Sequence, residues 1–295
     1  MRVFLTGASG FIGSAIVQEL IQAGHQVVGL VRSDASAKSL TEAGGEPFIG
    51  SLDDLDGLAR GASAADAVIH TAFVHDFSNY AASAQTDKRA IETFGTALAG
   101  SNRPLIVTAG ILVLQSSHGD LITEDDLATP EPRASETATM AFTDSGVRTS
   151  VIRLPPSVHD KGDHGFVPAL IDIARQKGVS AYVGNGNNRW PAVHRLDAAK
   201  LYRLALEKGT AGSRYNVIAD QGIPFREIAE TIGKHLNLPV VSKSPEEAPD
   251  HFAWLARFVA FDSPASSAKT REQLDWQPMQ PGLIEDLDMG HYFER

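Results

Sequence analysis

Residues 1–24 constrain the fold of this chain more than any other stretch. A short β-branched and apolar run, Arg2 to Thr6, leads into Gly7-Ala8-Ser9-Gly10-Phe11-Ile12-Gly13. Apolar residues at helical spacing follow until Gly24 stops them. Strand, glycine turn and helix in that order make an anion site. Gly7 turns the chain sharply, Gly10 lets the backbone approach a pyrophosphate, and Gly13 lets the helix pack closely on the strand. The free N–H groups and the positive end of the helix dipole then face the phosphates, with Ser9, Phe11 and Ile12 completing the expected contacts.

The same unit repeats along the first half. Strands are predicted at 26–31, 46–52, 67–72, 104–110 and 149–154, with a long helix at 79–99. Ser51 and Leu52 end the third strand beside the expected adenine. Thr71, Ala72 and Phe73 end the fourth at the crevice, where small residues let the cofactor pass. Thr108 lies toward the end of the fifth, which faces the nicotinamide, and Pro155 follows the sixth. Strands alternating with helices, with no long polar linker, predict an α/β fold: a doubly wound parallel sheet (Rossmann fold) covered on both faces.

After Pro155 the alternation breaks up. Helices are expected at 165–177, 196–207 and 224–236, and a seventh sheet strand at 214–219. The expected division is a dinucleotide-binding domain over 1–155, with 193–221 returning to its sheet, and a smaller interleaved substrate lobe over 156–192 and 222–295. The turn-rich stretch 183–191 carries Arg189 and Trp190, read as lining the substrate pocket, with a hairpin turn that packs Trp190 into the lobe as the alternative. A helix over 245–261 is expected to turn Phe252, Trp254, Leu255, Phe258 and Val259 inward.

Charge and composition exclude several functions. Thirty-six acidic against 26 basic residues give a net charge of -10, which argues against a nucleic-acid surface. The absence of cysteine excludes disulfides and thiol catalysis. The chain enters its first strand with neither a basic flank nor an apolar signal core, and no apolar run approaches membrane-spanning length, so a cytoplasmic protein without a membrane partner is expected. The histidines lack compact ligand spacing, and no metal is expected.

The cofactor preference is read at the end of the second strand. An NAD site offers an acid about 20 residues past the glycines, to hold the ribose hydroxyls. Here Val31 is followed by Arg32, whose guanidinium suits a 2′-phosphate, with Lys38 assisting. NADP(H) is therefore preferred, and NAD(H) stays open because Asp34 is nearby.

Several runs together resemble one family. They are Gly7/Gly10/Gly13, Asp66-Ala67-Val68-Ile69-His70-Thr71-Ala72, Arg153-Leu154-Pro155-Pro156-Ser157-Val158-His159, Val193-His194-Arg195-Leu196-Asp197-Ala198-Ala199, and the closing KTREQLDWQP at 269–278. The chain resembles an extended short-chain dehydrogenase/reductase of the NAD-dependent epimerase/dehydratase group, over nearly its whole length. That resemblance implies a nicotinamide cofactor and a small-molecule substrate. The family's Tyr-x-x-x-Lys pair, in which lysine lowers the tyrosine pKa, has no counterpart here: none of Tyr80, Tyr182, Tyr202, Tyr215 and Tyr292 has lysine four residues later. The tyrosine's position falls near Arg133, the lysine's on Thr137, and the active-site serine's on Gly110 or, with a small shift, Thr108. In this the chain is similar to atypical members of the superfamily.

Arg133 is the candidate to hold a developing alkoxide while water delivers the proton, and the competing expectation is an i, i+3 pair with Glu136 on a solvated helix. Thr108 is the second candidate, read as a local hydrogen-bonder or a contact to the nicotinamide ribose. His75, His159 and His164 fall near the crevice mouth, His75 and His159 being read as substrate-pocket residues, with His118 in the loop after the fifth strand and His194 as further candidate proton donors. The expected function is an NADP(H)-dependent oxidoreductase acting on a carbonyl or alcohol. The alternatives are a non-catalytic NADP(H)-binding redox sensor and an NAD-retaining sugar epimerase or dehydratase. Monomer and homodimer both remain open.

Overall fold

The computed structural model describes residues 1–294 apart from 75–78, 113, 118, 120 and 129–132. Its first half runs β1 (Arg2–Thr6), α1 (Phe11–Gln22), β2 (Gln26–Val31), α2 (Asp34–Glu42), β3 (Glu46–Ile49), α3 (Leu55–Ser63), β4 (Ala67–His70), α4 (Tyr80–Leu98), β5 (Pro104–Gly110), α5 (Ser135–Met140) and β6 (Arg148–Leu154). The second half runs β7 (Ser157–His159), α6 (Phe166–Lys177), β8 (Ser180–Val183), β9 (Arg189–His194), α7 (Arg195–Lys208), β10 (Ser213–Asn216), β11 (Asp220–Pro224), α8 (Phe225–Leu236), β12 (Val240–Lys243), α9 (Ala248–Phe252), α10 (Ala256–Val259), α11 (Ala268–Leu274) and α12 (Leu283–Asp288).

Seven strands pair in parallel in the order β10-β6-β5-β4-β1-β2-β3, which is the doubly wound sheet expected. Both faces are covered. Val3 and Leu5 of β1 turn to Ile16 and Leu20 of α1 and Leu201 of α7, whereas Phe4 between them turns to Leu58 of α3 and Ile91 and Phe94 of α4. Burial on both sides explains why the central strands read as continuous apolar runs rather than alternating ones.

Two strands are shorter than expected. β3 stops at Ile49 rather than at residue 52, because its sheet neighbour among the described residues, β2, ends at Val31 opposite Ile49. β4 stops at His70 rather than at residue 72, because its neighbour β1 gives way to Gly7, whose φ of 75° turns the chain out of the sheet.

The second unit holds a three-stranded sheet, β11-β9-β7, and the parallel pair β12-β8, packed with α6, α8, α9 and α12 around Trp190, Phe225, Ile228 and Phe252. The helix expected at 245–261 is broken. A 3₁₀ turn, Ala253–Leu255, separates α9 from α10, and the break falls at Ala253, whose φ of 50° lies outside the helical region. Trp190 corrects another expectation. It belongs to β9, is fully buried, and packs edge-on to Phe225 at 4.9 Å, so it is lobe core rather than pocket lining. Arg189, beside it, is tied to Asp262 at 2.8 Å.

The chain weaves between the two units. β9 belongs to the small sheet, so the return to the main sheet starts with α7, at Arg195. Leu274 and Trp276 also pack in the main-sheet core, although the expected division gave 222–295 to the lobe. The closing motif acts as a clasp: Trp276 Nε1 donates to the Asp197 carbonyl at 3.0 Å, and the N–H groups of Met279 and Gln280 donate to the Asp197 carboxylate at 2.9 Å.

Candidate active site

The sheet order reverses between β1 and β4, and ligands of open α/β sheets bind beyond the carboxyl ends of the strands at such a point. There the structure brings the glycine turn against Thr71 and Ala72. A Cβ on Gly7 would lie 2.6 Å from Thr71 Oγ1 and 2.9 Å from the Ala72 nitrogen, and a Cβ on Gly13 would lie 1.9 Å from the Gly7 carbonyl oxygen. Among the described residues no side chain caps α1, and its first turn holds no acid, so the helix itself supplies no anion to its N-terminal N–H groups. These features fit a dinucleotide pyrophosphate. Gly13→Ala is expected to abolish dinucleotide binding, as read by calorimetry, because the methyl group would force α1 away from the turn.

From the turn, contacts lead to the candidate catalytic arginine. Thr71 Oγ1 donates to the Thr6 carbonyl at 2.8 Å, and Thr6 Oγ1 bonds His70 Nδ1 at 2.7 Å. Two residues past Thr71, the Phe73 ring lies under Arg133, with the guanidinium carbon 3.9 Å from its centroid. Arg133 Nε donates to Ser135 Oγ at 2.6 Å, and its NH2 donates to Asp87 Oδ1 at 3.1 Å and to the Thr108 carbonyl at 3.2 Å. NH1 makes no hydrogen bond among the described residues, and the side chain keeps 19% of its surface exposed. The outcome is a guanidinium clamped on two of its three nitrogens, with the third open.

Asp87 supplies the clamp. It is 1% exposed on α4, accepts a short bond from Ser135 Oγ, and lies 3.3 Å from His70 Nε2. Burial pushes its pKa up, but Arg133, His70 and Ser135 outweigh that and hold it at about 2. Asp87 is therefore a carboxylate at any physiological pH. The expected pairing of Arg133 with Glu136 does not occur. Glu136 is buried and accepts from Arg153 at 2.7 and 2.8 Å and from Arg214 at 2.6 Å, on the other side of α5.

Thr108 is fully engaged: its hydroxyl donates to the His70 carbonyl at 2.9 Å and lies 2.7 Å from the Tyr202 hydroxyl, whose pKa burial pushes up. Pro155 is buried where β6 ends. At the adenosine side, Arg32 is exposed directly after β2 and makes no ion pair among the described residues. Ser33 caps α2, Asp34 sits in the first turn of that helix, and Lys38 faces Glu42 at 3.8 Å. Ser51 and Leu52 are half-buried just past β3.

The histidines separate into different roles. His75 and His118 lie outside the described residues. His159 is corrected from a pocket residue to a buried one, 0% exposed with Nδ1 2.9 Å from Asp286. His194 Nδ1 accepts from the Leu196 N–H and caps α7. His164 is exposed and meets the Phe11 ring edge-on at 5.8 Å. Among the described residues no group of three or more His, Asp and Glu could hold a metal, and no helix is long and apolar enough to cross a membrane.

Residues 7–169 match the profile of a family described as NAD(P)H-binding. The chain belongs to that family. A Schizosaccharomyces pombe relative, C2A9.02, is 54% identical over 99% of the chain and 100% of its own length. The Dictyostelium discoideum decarboxylating sterol-4-alpha-carboxylate 3-dehydrogenase is 28% identical, over 77% of the chain and 74% of its own. A crystal structure of UDP-glucose 4-epimerase from Thermotoga maritima shares the fold, with a TM-score of 0.78 at 20% identity over 99% of this chain and 98% of that one. A dTDP-glucose 4,6-dehydratase from Streptomyces venezuelae shares the fold as well, with a TM-score of 0.79 at 19% identity over 100% of this chain and 97% of that one.

Two parts of the site escaped the sequence reading. Asp87 lies on the buried stripe of α4, three residues from Ala84 and Ala90 and four from Ile91, where an unpaired carboxylate is untenable. That pattern was the available signal. Ser135 offered none, because its role depends on where Asp87 arrives from 48 residues away.

Proposed function

We propose that this protein is an NADP(H)-dependent oxidoreductase that reduces or oxidises a carbonyl or alcohol group of a small molecule. The open NH1 edge of Arg133 carries the proposal. It lies beside the carboxyl end of β5, against the Phe73 ring, with Nε and NH2 fixed by Ser135, Asp87 and Thr108. The nicotinamide, when bound, supplies or accepts the hydride. Arg133 supports the charge that gathers on the substrate oxygen, already oriented before the substrate arrives, and water carries the proton because a guanidinium stays charged at neutral pH. The likeness to the Dictyostelium discoideum sterol-4-alpha-carboxylate 3-dehydrogenase supports a redox reaction on a carbonyl or alcohol.

Arg32 favours the 2′-phosphate, since an exposed guanidinium with no carboxylate partner among the described residues pairs readily with phosphate. Calorimetry with NADPH and NADH, followed by NADPH oxidation against aldehydes, ketones and quinones, tests the reading. Arg32→Ala is expected to weaken NADPH about tenfold or more and leave NADH unchanged, because one charge-assisted contact is lost. Equal affinities in the wild type would overturn the preference. Tight NADPH binding without turnover on any carbonyl would favour the redox sensor.

A further inference from the structure

We propose that Arg195 is a ligand of the dinucleotide pyrophosphate, a role that rests on the dinucleotide reading above and that the glycine turn does not itself assign. Arg195 is the first residue of α7, a position where a cation opposes the helix dipole and gains nothing from its own helix. Its guanidinium is drawn elsewhere. The guanidinium carbon stands 4.7 Å from the centroid of Phe11, the first residue of α1, so the charge is placed beside the uncapped helix N-terminus that faces the crevice.

The side chain is held much as Arg133 is. Nε and NH2 donate to Asp160 Oδ2 at 3.1 and 2.8 Å, while NH1 makes no hydrogen bond among the described residues and 23% of the side-chain surface is exposed. Asp160 is itself anchored: its N–H donates to the Tyr292 hydroxyl at 3.2 Å, and Tyr292 donates to Asp163 at 3.1 Å. The lobe thus fixes one edge of the guanidinium and leaves the other toward the phosphates. Asp160 neutralises much of the charge at long range, but an N–H donor next to an anion acts at contact distance, where a charge-assisted hydrogen bond is strong.

Calorimetry on the full chain separates this from the role of Arg32, using NADPH, NADH and adenosine 2′-monophosphate, which carries the 2′-phosphate but no pyrophosphate. Arg195→Gln is expected to weaken NADPH and NADH equally, by about tenfold or more, and to leave adenosine 2′-monophosphate unchanged. Arg195→Lys, which keeps the charge and loses the planar fork, is expected to fall between, and it serves if the glutamine variant does not fold. Unchanged NADH affinity would overturn the proposal, as would a loss confined to NADPH and adenosine 2′-monophosphate. Failure of the wild type to bind any dinucleotide would instead overturn the reading on which the proposal rests.

Discussion

Arg133→Ala is expected to lower turnover by about 10²- to 10³-fold and leave the NADPH dissociation constant unchanged, which is the loss seen when one oriented oxyanion donor is removed. The affinity is spared because Arg133 reaches the crevice beyond Phe73, away from the glycine turn and from Arg32. Removing the guanidinium also strands Asp87, a carboxylate 1% exposed, so a fall in stability is expected alongside. Arg133→Lys distinguishes the two effects. Its ammonium keeps Asp87 paired, but a point charge on a flexible stem cannot hold Asp87 and Thr108 and still offer an open N–H. It is expected to fold as the wild type does and remain at least about tenfold slow. Wild-type turnover in either folded variant would remove Arg133 from the chemistry.

Glu136→Gln is expected to cost about 3 kcal/mol or more of unfolding free energy, read as a lower urea midpoint at constant m and a melting temperature lower by about 5 °C or more. Arg153 is 0% exposed near the carboxyl end of β6, and Glu136 is the carboxylate that neutralises it. Arg214→Ala removes the outer partner, whose side chain is 26% exposed, and is expected to cost far less. Acid should reproduce part of the Glu136→Gln effect. Burial pushes Glu136 up, but Arg153 and Arg214 outweigh it, so its pKa is lowered, as is that of Asp87. A carboxylate with a depressed folded-state pKa stabilises the fold fully above its unfolded value, near 4, and loses that contribution as pH falls toward the folded value, about 2 for Asp87. Stability should therefore be insensitive to these two groups at neutral pH and fall steeply below about pH 4. A Glu136→Gln variant within about 1 kcal/mol of wild type would show that Arg153 finds other compensation.

How far the site could be read from sequence depends on how locally each part is made. The glycine turn was fully legible, because strand, turn and helix are consecutive and Gly7 and Gly13 meet within seven residues. The central strands were legible because burial on both faces leaves them uniformly apolar. Their ends were not, since β3 and β4 stop where a neighbouring strand ends. Arg133 could be singled out by its place after β5, but its partner could not. Glu136, three residues on, satisfied the local rule, whereas Asp87 lies 46 residues away. Trp190 misled for the same reason: a turn-rich stretch precedes it, but β9 carries the ring into a core assembled from α6 and α8.

The woven path of the chain limits how such a protein can diversify. A substrate lobe encoded as one continuous segment can be exchanged whole between genes. Here β7, β9 and β11 come from three separate stretches, with α7 and β10 of the main sheet threaded between them, and the Asp197 clasp ties the closing segment back onto α7. No single cut-and-paste event could replace the lobe without severing the sheet. Exchange of a whole segment is closed to such a fold, which leaves substitution of single side chains and changes within individual loops as the routes by which its crevice can be altered.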